Sequence, residues 1–310
     1  MYEDHSGVST NKFSNPYDAL ISACNNDPSE IQARYNAHRT TRNAQQKTQL
    51  LSPAFKGVNI DPILLRLTDP AIEPGYADPR HCLVFWARPP QHLKDLILKI
   101  QKELQTVAPN LWLMPPTSLH MTTLEVTHSR TSPEIATLLS TLQPSLKRIC
   151  DYPSTHPTRL TKPLISFDAS ALALSFVPEA LPSEAHDGVQ TYHHLRRSIY
   201  NLCTEASIPV DSRYVVPSAH LTIARFISAN DFQGEDGGHD GVKMAAFIQK
   251  IEELNQWLQD NYWPSDETEA KSNGEWIVGA DKGLDCRKGT LWYGGGETVY
   301  LGKGHDVARN

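Results

Sequence analysis

The feature that most constrains this chain is a strand signature that occurs twice. Pro116-Thr117-Ser118-Leu119-His120-Met121-Thr122 is matched by Pro217-Ser218-Ala219-His220-Leu221-Thr222, the two histidines lying 220 − 120 = 100 residues apart. Each copy is a proline-bearing entry followed by alternation of polar and apolar residues. Side chains on a strand point to opposite faces with period two. His120 and Thr122 therefore share one face, with Leu119 and Met121 on the other; His220 and Thr222 share a face against Ala219, Leu221 and Ile223. One such strand is an ordinary half-buried strand. Two in matched surroundings restrict the whole architecture, because each polar face needs a place to look and each apolar face needs a core.

The flanking sequence supplies those cores. Cys82–Arg88 (CLVFWAR) is an apolar run stopped by Pro89 and Pro90, which reads as a buried strand. Leu93, Leu96, Ile97, Ile100, Leu104 and Val107 then recur at helical spacing. Residues 111–114 are extended, and 118–126 read as a strand. Thr131-Ser132-Pro133-Glu134 opens a helix as a capping box, whose apolar face is Ile135, Leu138, Leu139 and Leu142. Residues 164–167 and 171–177 make a strand pair. Tyr192, Leu195, Ile199 and Leu202 line a helix, Tyr-Val-Val at 214–216 and the run through Ile227 form a strand, and Phe247, Ile251, Leu254 and Leu258 line a long helix. After it, EWIVG, TLWYG and TVYLG read as strands joined by glycine turns. From residue 82 the order is β-α-β-α-β-β-α-β-α with further strands: an α+β fold in which a strand–helix–strand unit appears twice. Residues 1–79 form a polar leader, a helical extension from Pro16 to about Leu50 and a proline-rich connector; 80–310 form the main domain.

Composition excludes several function classes. The net charge is 29 − 35 = −6 and no long basic run occurs, which argues against a protein that tracks duplex nucleic acid. A small nucleotide or an RNA terminus needs only a local cluster of donors and stays open. The five cysteines, Cys24, Cys82, Cys150, Cys203 and Cys286, contain no C-x-x-C pair, so reduced structural thiols in a cytoplasmic or nuclear protein are expected. The polar start is not a secretory signal, and no run of eighteen apolar residues suggests a membrane span. The glycines near the C-terminus have neither dinucleotide-fingerprint nor P-loop spacing.

His-x-Thr occurs four times. His38-Arg39-Thr40 lies in a helical stretch, where a two-residue step turns side chains about 200° apart. His156-Pro157-Thr158 sits by prolines in a loop. Both are expected to be incidental. The other two carry a resemblance: with the ending HLTIARF and the strand–helix order, roughly residues 80 to 300 resemble the two-histidine (2H) phosphoesterase superfamily, which includes 2′,3′-cyclic nucleotide phosphodiesterases and RNA-ligase-type proteins. The resemblance implies a bilobal α+β fold of two pseudo-symmetric halves, each with a sheet carrying one H-x-T strand. It also implies metal-independent chemistry without a cofactor, with His120, Thr122, His220 and Thr222 as the catalytic set. The extension before Pro79 has no counterpart in the minimal family fold.

The chemistry suits that set. In-line displacement at phosphorus needs a base on one side and an acid on the other. Two imidazoles with an ordinary pKa of about 6.5 can supply both, and threonine hydroxyls can hold the non-bridging oxygens. The resemblance implies His220 as base toward water and His120 as acid toward the leaving ribose oxygen; the reverse is open. The expected substrate is a 2′,3′-cyclic phosphate on a nucleotide or an RNA end. Two alternatives stand beside it: an enzyme that trims or joins RNA ends with the same residues, and a non-catalytic nucleotide-binding or scaffold module, since relatives of the family resemble AMP-binding kinase-anchoring domains.

Other residues are expected to be structural. His128, His193 and His194 have no metal-ligand spacing and are read as surface residues. Arg225 should point away from the His220 face and form a salt bridge. Tyr214, Trp292 and Tyr293 could stack on a base, with packing the default. Lys282, Arg287 and Lys288 form a small basic cluster assigned to a glycine-rich loop.

Overall fold

In the computed structural model, residues 5–10, 12–180, 190–213, 215–264 and 274–305 are described. The chain begins with three helices, α1 (Asp18–Ala23), α2 (Pro28–Leu50) and α3 (Pro62–Thr68). The starts of α2 and α3 are chemically marked. The Asp27 carboxylate accepts the Ser29 amide at 2.8 Å with Pro28 next in line, and Asp61 accepts from both Ile63 and Leu64 at 3.1 Å. α3 reaches the start of the segment read as a connector.

The main domain follows as β1 (His81–Ala87), α4 (Gln91–Gln105), β2 (Leu111–Leu113), β3 (Met121–Arg130), α5 (Ser132–Leu142), α6 (Leu146–Thr155), β4 (Thr158–Phe167) and β5 (Ala171–Pro178). It continues with α7 (Tyr192–Glu205), β6 (Ala219–Phe226), α8 (Gly241–Tyr262), β7 (Trp276–Val278), β8 (Lys282–Gly289) and β9 (Glu297–Lys303). α5 carries the expected capping box, with the Thr131 amide donating to Glu134 at 2.7 Å. The strands form two antiparallel sheets, one ordered β3-β1-β8-β9 and the other β2-β6-β5-β4-β7. The fold is α+β, and two such sheets are compatible with two lobes.

Several expectations need correction. α6 was not foreseen. Val215 and Val216 lie outside any strand, and β6 begins at Ala219; Tyr214 lies outside the described residues. TLWYG is a turn between β8 and β9, with Gly294 and Gly296 at φ +81° and +71°, the left-handed region that glycine tolerates. The basic cluster sits on a strand: β8 contains Lys282, Arg287 and Lys288. The glycines there serve close approach, since a Cβ on Gly283 would lie 2.2 Å from the Cys150 carbonyl oxygen of α6.

His193 and His194 are also buried, against expectation. The His193 Nε2–H donates to the Tyr17 carbonyl at 2.9 Å, which leaves Nδ1 to accept from the Tyr35 hydroxyl at 2.9 Å. His194 accepts the Thr191 amide on Nδ1 at 3.2 Å and donates from Nε2 to Asn26 Oδ1 at 2.7 Å. The N-terminal extension is thus bonded to α7, and α2 packs on β4 and β5, where the buried Arg39 donates to the Lys162 carbonyl at 2.7 Å. α4 packs against β6 and α8 against β4, with Ile97, Ile100, Phe247 and Ile251 among the core. All five cysteines are free and buried.

Candidate active site

The two H-x-T motifs arrive in one place. His120 immediately precedes β3 and Thr122 lies on it; His220 and Thr222 lie on β6, and β3 packs against β6 across the two sheets. All four side chains line a single cleft of about 90 Å³. One water needs roughly 10–15 Å³ by the same measure, so a phosphate-sized group has room. The other two motifs lie elsewhere. His38 is buried on α2 beside the His5 amide while Thr40 is exposed and bonds its own helix at Asn36, as the helical step predicts. His156 ends α6 with its ring stacked on Tyr152, centroids 4.1 Å apart.

The sheet floor positions His120. On β1, Leu83, Phe85 and Ala87 enter the main core, while Cys82, Val84 and Trp86 cluster with Leu291 at the cleft. The Trp86 indole stacks on the His120 ring with centroids 3.7 Å apart and planes at 19°. The His120 Nδ1–H donates to the Ser118 carbonyl at 2.7 Å, which fixes the tautomer and turns Nε2 outward. Arg88 braces the segment: it donates to the Leu119 carbonyl at 3.2 Å and to the buried Asp285 carboxylate at 2.8 Å. The β8–β9 turn closes against the same point, for a Cβ on Gly294 would lie 2.5 Å from Ser118 Cβ and 2.9 Å from the orienting carbonyl oxygen.

His220 has a different neighbour, the Ser218 hydroxyl at 2.9 Å from Nδ1. Both imidazoles are held well below their ordinary value. Burial is the main cause for His120, pushed down to about 3, with the positive charges of Arg88, His220 and Arg287 adding to it and the Ser118 carbonyl opposing. Burial likewise takes His220 to about 4, with Arg42, Arg196 and His38 adding and Asp168 opposing. At pH 7 both rings are neutral, and a charge on His220 would oppose the protonation of His120.

Arg225 departs from the expected geometry. It does pair with Asp61, at 3.8 Å, yet it lines the cleft beside His220 and Thr222. The cause is a β-bulge: on β6 Thr222 pairs with Ala173 and Ala224 with Leu172, so two steps oppose one. A bulge reverses the alternation beyond it. The Ile223 carbonyl at the bulge is secured by the Met114 amide at 2.9 Å and the buried Gln101 side chain at 2.9 Å. β3 repeats the device. Thr122 pairs with Trp86 and Leu124 with Phe85, which brings Glu125 onto the cleft face opposite Val84. Each H-x-T is therefore followed three residues later by a charged side chain in the same cleft, Glu125 in one half and Arg225 in the other. The signal was present in the sequence: polar residues change from even to odd numbers after Thr122 and after Thr222, while the apolar ones change the other way.

Three further side chains complete the walls. Arg196 of α7, buried, donates to the Thr123 carbonyl at 3.2 Å and to the Val216 carbonyl at 2.8 Å, so one guanidinium spans from β3 to the segment leading into β6. Arg213 grips both oxygens of the buried Glu125 at 3.0 and 2.7 Å. Trp292, in the β8–β9 turn, lines the cleft with the guanidiniums of Arg80 and Arg213 each 4.3 Å from its centroid. Tyr293 instead donates to Asp61 at 2.7 Å. Among the described residues no group of three or more His, Cys, Asp or Glu side chains is arranged to hold a metal ion, and no described helix is long and apolar enough to cross a membrane. No protein-family model matches this chain, and no curated protein matches it.

Proposed function

We propose that this protein is a metal-independent phosphodiesterase of the 2H phosphoesterase type, hydrolysing a 2′,3′-cyclic phosphate on a nucleotide or RNA end. The observation that carries the reading is the convergence of His120, Thr122, His220 and Thr222 on one cleft from two different sheets. A phosphate held at the two H-x-T pairs brings a negative charge beside both rings, and this lifts the depressed imidazoles toward the range where one can be protonated. His120 acts as the acid, as the family resemblance implies: the Ser118 carbonyl holds its Nδ1–H, which leaves Nε2 to deliver the proton to the leaving ribose oxygen. His220 takes a proton from water as that water attacks phosphorus and the bond to the ribose oxygen breaks, leaving a phosphate monoester. The two rings exchange roles in the reverse direction. Thr122 and Thr222 donate to the non-bridging oxygens, where charge builds.

The test is turnover of the four 2′,3′-cyclic mononucleotides and of short RNAs with cyclic ends. Release of a single monophosphate regioisomer is expected. Nucleotide-dependent rise in melting temperature with no product from any substrate would favour the binding-module reading instead.

A further inference from the structure

We infer that the cleft selects a substrate bearing a second phosphate beside the cyclic one, and that Arg225 is the residue that reads it. The inference rests on the cyclic-phosphate reading above and extends it.

Charge gives the first reason. Three guanidiniums, Arg196, Arg213 and Arg225, line the cleft against one carboxylate, Glu125. A cyclic phosphodiester brings a single negative charge to this wall, and Arg225, loosely paired with Asp61 at 3.8 Å, can meet a second one. Glu125 has both oxygens engaged by Arg213 and does not offset the others.

The second reason is how Arg225 is held. Neighbouring arginines are matched to carboxylates at hydrogen-bond distance: Arg80 to Asp78 at 2.8 and 2.7 Å, and Arg88 to Asp285 at 2.8 Å. Arg225 reaches Asp61 only at 3.8 Å. Asp61 is already committed to the Tyr293 hydroxyl at 2.7 and 2.8 Å and to the first amides of α3. Among the described residues no hydrogen bond reaches the Arg225 guanidinium, and its Nε is buried without an acceptor. A planar guanidinium with unused donors, still 21 % exposed and turned into a cleft by a bulge, is suited to bidentate contact with an oxyanion.

Spacing gives the third reason. Arg225 stands three residues beyond Thr222, about 7–10 Å along the bulged strand. That separates it from the phosphate held by the two H-x-T pairs and leaves it within reach of the next phosphate of a nucleotide. Such a phosphate is either the 5′-phosphate of the same nucleoside or the internucleotide linkage of an RNA end.

The experiment compares kcat and KM for adenosine 2′,3′-cyclic phosphate, its 5′-phosphorylated form, and the adenylyl dinucleotide ending in the same cyclic phosphate. The wild-type protein, Arg225→Gln and Arg225→Lys are assayed, with melting temperatures measured alongside. The wild type should prefer one of the doubly phosphorylated substrates by about 10–100-fold in kcat/KM, the range expected of one charge-assisted contact. Which of the two it prefers identifies the source of the second phosphate. Arg225→Gln should bring the preference ratio to about one, and Arg225→Lys should retain part of it. Equal wild-type rates on all three substrates, or a preference that survives Arg225→Gln, would overturn the inference, and the wild-type comparison needs no variant to fold. Conversion of none of them would overturn the cyclic-phosphate reading itself and take this inference with it.

Discussion

At the scale of single residues, the cleft differs from a generic polar pocket in how its histidines are prepared. His120 is clamped between the Trp86 ring and the Ser118 carbonyl, whereas His220 has a hydroxyl that can either donate or accept. Replacing either histidine by Ala should cost about 10²–10⁴ in turnover, the usual worth of positioned acid–base catalysis. In the proposed mechanism both act in one step, so the double variant should be far less impaired than the product of the single defects. Multiplicative losses on a cyclic nucleotide would argue that the rings work independently. His120, Thr122, His220 and Thr222 were legible in the sequence because strand periodicity and proline-bearing entries are local. His193 and His194 were not legible: nothing near them in sequence announces that Tyr17, Tyr35 and Asn26, more than 150 residues away, supply their partners.

Among the elements, two bulges and one turn shape the site. The bulges on β3 and β6 each re-aim one charge, and the β8–β9 turn rests on the residue that orients His120. Gly294→Ala places a methyl 2.5 Å from Ser118 Cβ at a backbone φ of +81°. It should lower kcat at least tenfold through a displaced His120 and lower the melting temperature by several degrees, consistent with a cost of about 1 kcal/mol or more for the left-handed conformation alone. Wild-type kcat in this variant would separate the turn from the chemistry. Helices α4, α5, α7 and α8 and most strands follow from apolar periodicity and capping signals, whereas α3 and α6 do not. The last hairpin was misread because Gly283 and Gly302, chosen by the α6 backbone pressing on them, resemble turn glycines when seen in sequence alone.

For the whole molecule, burial of imidazoles sets a pH response. His120 and His193 are held near 3, and His194 and His220 near 4, in each case mainly by burial. Above pH 6.5 these rings are neutral in folded and unfolded chains alike. Below it the unfolded chain binds protons that the folded one refuses, so stability is withdrawn as pH falls from 6.5 toward 4. Each ring contributes a slope of up to about 1.4 kcal/mol per pH unit. Urea midpoints at pH 7.5, 6.0 and 5.0 should fall steadily, and a flat series would contradict the burial of these rings. Activity on a cyclic phosphate should also persist after exhaustive chelation; loss in EDTA with recovery on adding zinc or magnesium would reveal a metal requirement. The α+β class was readable from the sequence, and so was most of the element order up to α8, apart from α6. The sheet order was not, because the pairing of β1 with β8 joins residues about 200 positions apart.

That pairing has a consequence for how the protein is made. β8 is an inner strand, flanked by β1 and β9, and it brings Asp285 to Arg88 and the following turn to Ser118. A nascent chain therefore carries both H-x-T motifs out of the ribosome long before the wall that orients His120 exists. Until the final hairpin emerges, β1 offers an unpaired edge with Val84 and Trp86 uncovered, the kind of edge that recruits other chains. Chaperone dependence and aggregation on early termination should concentrate in this interval, between the synthesis of β6 and that of β8.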